Sequence, residues 1–312
     1  EMLNRDWSSD VCSSDLMDNE VFKQNLEGES IRPGGPVIIQ MLFKGPVAMP
    51  GKEQMAAAMA RHLGSVECIC HDEKTAGFAA LEHVAKFSDG TAPVQLMVTG
   101  CLDFEGSKFD SFSISQMWDC REERERILCE CRYQVVAMDM LAAALPALER
   151  TKVDMDFLDA LAELYPDCKA VYFQSCGKLF SMDDLRSFQG DGPDRFIRFG
   201  VNVRLFNIQG TKDMLVDTVG MGTLFLPDLQ YHFHDMDPNQ VVSHAYDLAS
   251  YILENDNPIQ DGETVDGVRD GRMCPELQWS CRYERALIQP PREVLDVHMG
   301  EYASGSGRQV TL

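Results

Sequence analysis

Residues 37–43 (VIIQMLF) form a short apolar run behind Pro33-Gly34-Gly35-Pro36, the pattern of a buried first strand. Pro50-Gly51 then opens a helix with Met55, Met59 and Leu63 on one face, closed by Gly64. Residues 66–70, 78–87 and 94–101 read as three further strands separated by turn residues. Ser113 and Gln116 have capping-box spacing, which predicts a charged helix through Trp118, Arg121, Glu125 and Leu128. Ile114, Met117 and Trp118 are its apolar edge, either a buried face or a partner surface. Residues 133–140 read as a strand, 153–165 as a helix stopped by Pro166, and 170–174 as a strand followed by a short helix capped at Ser181.

Residues 186–195 (RSFQGDGPDR) have linker composition. Residues 196–205 then alternate, Ile197, Phe199, Val201, Val203 and Leu205 against Arg198, Asn202 and Arg204, which predicts a half-buried strand. A second strand region covers 214–225. Asp237-Pro238-Asn239-Gln240 is the clearest helix start in the chain, with an acidic cap, proline at the first position and glutamine at the third. Val241, Ala245, Leu248, Tyr251 and Ile252 supply its apolar stripe. Residues 277–288 and 293–298 read as final strands.

Strands follow one another in both halves without a steady βαβ rhythm. This predicts an α+β fold with largely antiparallel sheets and helices packed on one face, read as two ferredoxin-like lobes. The expected division is a leader at 1–16, one lobe over 17–190 and a second over 191–312 that frays from about 302.

Composition narrows the function classes. Fifty Asp plus Glu against 28 Lys plus Arg give a net charge of −22. Such a chain repels phosphate backbones and anionic lipid, so nucleic acid and membrane surfaces are not expected partners, and a basic protein is. Residues 6–16 (DWSSDVCSSDL) look like a translated sequencing adapter, and the natural start is expected at Met17. Removing the four acids and one arginine of residues 1–16 leaves −19, no less acidic in kind. Residues 17–36 lack the apolar core of a secretory signal, which points to the cytoplasm. The cysteines beyond Met17 match no small disulfide scaffold. The Cys68/Cys70 and Cys129/Cys131 pairs would put both thiols on one face if each lay on a strand; otherwise they pack as small hydrophobes.

The stretch 202–240 (NVRLFNIQGTKDMLVDTVGMGTLFLPDLQYHFHDMDPNQ), with VVSHAYDLASYILEN after it and DGETVDGV at 261–268, resembles a bacterial family of unknown function, DUF4261. The likeness is strongest over 202–268, with VDTVGMGTLFLPD as its signature. It implies a bacterial cytosolic protein and supplies no reaction.

The densest polar cluster is Asp228, Gln230, His232, His234, Asp235 and Asp237. If 229–234 is extended, Gln230, His232 and His234 point to one face. His232 and His234 with Asp228 would then suit zinc or a similar divalent ion, although spacing fixes no third ligand. The alternative is a set of polar residues leading into a well-capped helix. Asp217, Thr218, Gly220 and Gly222 lack the lysine of a P-loop and the third glycine of a dinucleotide fingerprint, so the glycines are expected to permit a bend. Asp217 is expected to cap a turn or to pair with Arg204. No Gly-x-Ser-x-Gly occurs, and Cys176 is a nucleophile candidate without a fixed partner.

These residues favour a binding or interaction protein without a cofactor, using Asp217, Asp228, Gln230, His232 and His234. The rival is a metal-dependent hydrolase with a divalent ion held by His232, His234 and Asp228.

Overall fold

A computed structural model describes residues 31–190 and 192–305. The adapter-like segment, the expected start at Met17 and the chain beyond 305 lie outside the described residues. Two compact units divide between Val201 and Asn202, the first beginning at Gly34 and the second taking in residues 31–33. Both are α+β with mostly antiparallel sheets. No helix among the described residues is long and apolar enough to cross a membrane.

The first unit runs β1 (Ile38–Phe43), α1 (Lys52–Leu63), β2 (Val66–His71), β3 (Thr75–Phe87), β4 (Gly90–Thr99), β5 (Leu102–Asp103), α2 (Ser111–Ser115), α3 (Arg124–Glu130), β6 (Tyr133–Met140), α4 (Ala147–Leu164), β7 (Ala170–Phe173), β8 (Lys178–Ser181), α5 (Met182–Ser187) and α6 (Gly192–Gly200). The strands line up as β2-β3-β4-β6-β1-β7-β8, with β5 beside β6 and every pairing antiparallel. Alternation along β1 supplies both faces. Phe43 meets Tyr165 at the end of α4, ring centroids 5.8 Å apart. Leu42 instead joins a cluster with Phe104, Met117, Cys120, Ile127 and Leu128 from the excursion between β5 and β6.

Two sequence expectations fail in this unit. The helix expected from Ser113 is broken. Asp110 caps α2 by accepting from the Ser113 N–H at 2.7 Å, a 3-10 turn covers Trp118–Cys120, and α3 starts only at Arg124. A side chain three residues earlier takes the capping role, and Met117 buries in the cluster just described. The strand expected over 196–205 is helix α6 as far as Gly200. Phe196, Ile197, Phe199 and Gly200 are buried, an i, i+1, i+3, i+4 set that fits a helix as well as alternation fits a strand. Phe199 settles the choice by packing against Phe180, centroids 4.6 Å apart.

Burial also forces charge pairing. Arg150 donates to Asp139 Oδ2 at 2.9 Å and to the Gly35 carbonyl at 2.7 Å. Asp119 sits between Lys178, 3.2 Å away, and Arg198. Burial alone would raise the Asp119 carboxyl, but the two cations outweigh it and hold it below the usual range.

The second unit is β9 (Asn202–Asn207), β10 (Met214–Val219), β11 (Asp228–Phe233), α7 (Pro238–Glu254), β12 (Thr264–Arg269), β13 (Arg272–Arg285) and β14 (Glu293–His298). This is βββαβββ, whereas a ferredoxin-like lobe reads βαββαβ. The strand order is β12-β13-β14-β11-β10-β9, and β11 with β14 is the one parallel pair among the described strands. Asp237 caps α7 as its sequence predicts, accepting from the Asn239 N–H at 3.0 Å. The expected long strand 214–225 stops at Val219, where Gly220 (φ +136°) turns the chain into a 3-10 turn at Met221–Leu224.

Candidate functional site

The sheet of the second unit has two unlike faces. Tyr231 turns toward α7, where its hydroxyl lies 2.9 Å from His244 Nδ1, while His244 Nε2 meets the Asp266 carbonyl at 2.8 Å. By alternation Asp228, Gln230 and His232 point the other way. On that face a row of polar residues crosses five strands in register: Arg204 opposite Asp217, Asp217 opposite Gln230, Gln230 opposite Asp296, and Asp296 opposite Arg282.

Asp217, second in the row, is fully buried. Arg204 grips it with two parallel bonds, Nε to Oδ1 at 2.7 Å and Nη2 to Oδ2 at 2.5 Å. Arg292 arrives from the loop before β14 and donates from Nη2 to the same Oδ2 and to the Thr218 carbonyl, both at 2.7 Å. Its Nη1 reaches the carbonyls of Ile288 and Pro290 at 3.1 and 2.9 Å. Paired, charge-assisted bonds of this kind are what allow an arginine to be buried.

Asp228 lies on the other side of Arg292, Oδ2 to Nε at 3.3 Å. Its Oδ1 accepts from Thr218 Oγ1 at 3.0 Å and from the Met221 N–H at 3.2 Å, which ties down the turn that follows β10. Burial pushes the Asp228 carboxyl up to about 6, against the opposing pull of Arg292. Gln230 donates to Asp296 Oδ1 at 2.9 Å and accepts from the Leu287 N–H at 2.7 Å. Burial likewise raises Asp296 to about 6.

The expected residues therefore separate. Asp217, Asp228 and Gln230 join one network with Arg204, Thr218, Arg292 and Asp296. His232 faces Asp213, with Nε2 3.7 Å from Oδ2, and His234 lies 3.1 Å from Asp235. Asp228 does not share a centre with these histidines. Four strand residues span about 13 Å, so Asp228 and His232 are too far apart for one ion. Among the described residues no group of three or more His, Cys, Asp or Glu side chains is placed to hold a metal. The cysteine pairs are split as well. A register shift separates Cys68 from Cys70, and Cys129 is exposed while Cys131 is buried. Cys176 is buried.

Arg292, Asp296 and Asp213 carry no local signal in the sequence. Only the strand register and the loop before β14 bring them to their partners.

Residues 217–298 match the model of a domain of unknown function, DUF4261. The DUF4261 match opens on Asp217 and closes on His298, so it contains Asp217, Asp228, Gln230, Arg292 and Asp296 but leaves Arg204 and β9 outside. No curated protein and no solved structure matches the chain.

Proposed function

We propose that the chain is a non-catalytic binding protein of the bacterial cytosol, of accessory or immunity type, that engages a basic partner protein. One observation carries this reading: Asp217, Asp228 and Gln230 are engaged by the chain's own arginines, threonine, aspartate and backbone N–H groups. Groups held in this way brace a scaffold, whereas a general acid or base must face the proton it transfers. Charge supports the choice of partner, because −22 draws in cationic surfaces and speeds their encounter. The immunity-type assignment rests on analogy with acidic inhibitors in general.

Phe225 is a candidate contact. It follows the turn pinned by Asp228, is 62% exposed, and lies between the buried Leu224 and Leu226. A rigidly presented aromatic is the kind of side chain that anchors interfaces. The test is affinity capture from the native cell at low salt, followed by a salt gradient. A basic protein held at low ionic strength and released as salt rises is the expected result. No enrichment at low salt ends the reading.

A further inference from the structure

His232 is the one histidine among the described residues with a buried ring nitrogen that meets no hydrogen-bond partner. Its side chain is 9% exposed, and Nε2 looks at Asp213 Oδ2 across 3.7 Å, too far for a hydrogen bond. A second orphan lies beside it. Ser304 Oγ is buried without a partner, and the Ser304 N–H donates to the His232 carbonyl at 2.9 Å. The adjoining antiparallel bridge, Phe233 to Ala303, puts Ser304 across from His232, so both side chains stand on one side. Gly305 closes over the ring, since a Cβ there would come within 3.3 Å of His232 Nδ1.

His234 follows two residues later on the same strand line. Its N–H is held by the Tyr302 carbonyl at 2.9 Å, and its partly exposed ring pairs with Asp235. Asp213 and His234 each stand one residue beyond the Met214–Phe233 pair, so both flank the same end of the β10–β11 ladder. A His-x-His line beside a carboxylate on the next strand is a donor set for a borderline-soft divalent ion. Bonds of about 2.0–2.1 Å to nitrogen and oxygen across a 3.7 Å gap give an angle at the metal of roughly 130°, about 20° of closure away from tetrahedral.

We infer that His232 Nε2 and Asp213 are the first two ligands of a site for a zinc-class divalent ion, completed by His234 and by a water held near Ser304 Oγ. His234 must turn away from Asp235 to join, which is why no set of three is yet assembled. The ion would tie β10, β11 and the 302–304 segment together. This site is independent of the proposed partner binding.

The untagged full chain, stripped by chelation, is titrated with zinc and separately with cobalt(II). The expected result is uptake of one equivalent, tetrahedral cobalt bands in the visible spectrum and a raised melting temperature. His232→Ala, His234→Ala and Asp213→Asn each weaken zinc binding by more than roughly tenfold, whereas His62→Ala leaves it unchanged. Asp213 is partly exposed and asparagine keeps its shape, so loss of binding in that variant, with an unaltered metal-free circular dichroism spectrum, is not unfolding. No uptake by the parent chain, or uptake unchanged in His232→Ala, overturns the inference.

Discussion

Arg292 and Asp217 are 75 positions apart in sequence and 2.7 Å apart in space, joined where β10 meets the loop before β14. Arg204 holds the same carboxylate from the opposite side, so one buried anion is shared by two guanidiniums. Removing Arg292 leaves Asp228 without its cation and Asp217 half-neutralised. Arg292→Met is expected to cost about 3–5 kcal/mol in urea unfolding of the second unit, the usual penalty for breaking a buried pair from one side. Arg292→Lys should recover only part of this, because an ammonium cannot reach Asp217, Asp228 and the backbone carbonyls with one planar fork.

Two buried carboxyls of the second unit should also contribute a pH dependence opposite in direction to common acid denaturation. Asp228 and Asp296 are raised by burial to about 6, above the ~3.9 of an unfolded aspartate. The folded chain therefore binds protons more tightly than the unfolded chain. The two carboxyls thus add stability that is full below about 4, is lost as pH rises from about 4 through 6 and levels off above that, while His244 and His232, both lowered by burial, act in the opposite sense. Asp119, held low by Lys178 and Arg198, acts in the reverse sense in the first unit. The readout must accordingly be local, as amide protection of β10, β11 and β14, corrected for the base-catalysed rise of intrinsic exchange, at about pH 5 and pH 7.5. Asp296→Asn keeps an acceptor for Gln230 and should reduce the dependence. A pH dependence of that protection left unchanged by Asp296→Asn would contradict the assignment.

Phe225 adopts φ +59°, a left-handed conformation that is strained for a bulky residue, and its ring is largely exposed. Phe225→Gly should therefore stabilise the second unit by up to about 1 kcal/mol, despite the added freedom of the unfolded chain. If the ring anchors a partner, the same variant should bind less of the protein captured at low salt. Gain of stability with loss of capture separates display from packing, and loss of stability would show that the ring is needed by the fold.

Asp237→Ala removes the side-chain acceptor at the start of α7 and should cost about 1 kcal/mol in chemical denaturation, with Asp237→Asn close to neutral. Equal losses in the two variants would point to the charge rather than the cap.

What the sequence reveals here follows from how local the cause is. Asp237-Pro238 specifies a helix start within four residues, and residues 133–140 were readable as a strand from alternation alone. Residues 196–205 misled because an alternating run and a helical stripe coincide at Phe196, Ile197 and Phe199, and the deciding contact, Phe180, lies far back in the chain. The Asp217–Arg204 pair was within reach because adjacent antiparallel strands bring it together. Arg292 and Asp296 were not, since a parallel pairing with a whole helix and two strands intervening places them. Asp213 was missed because its partner sits on the next strand and no spacing rule connects it to His232.

The parallel β11–β14 pair has a consequence for how the second unit is made. It joins two three-strand meanders, β9–β11 and β12–β14, along a seam in the middle of the sheet. During synthesis the inner edge of β11 is complete some sixty residues before β14 emerges, an interval of several seconds at ordinary elongation rates. Over that interval β11 is open along one edge and carries Asp228 with no Arg292 to neutralise it. A nascent chain paused between α7 and β14 is thus the species most exposed to mispairing, and chaperone dependence should peak there rather than after release.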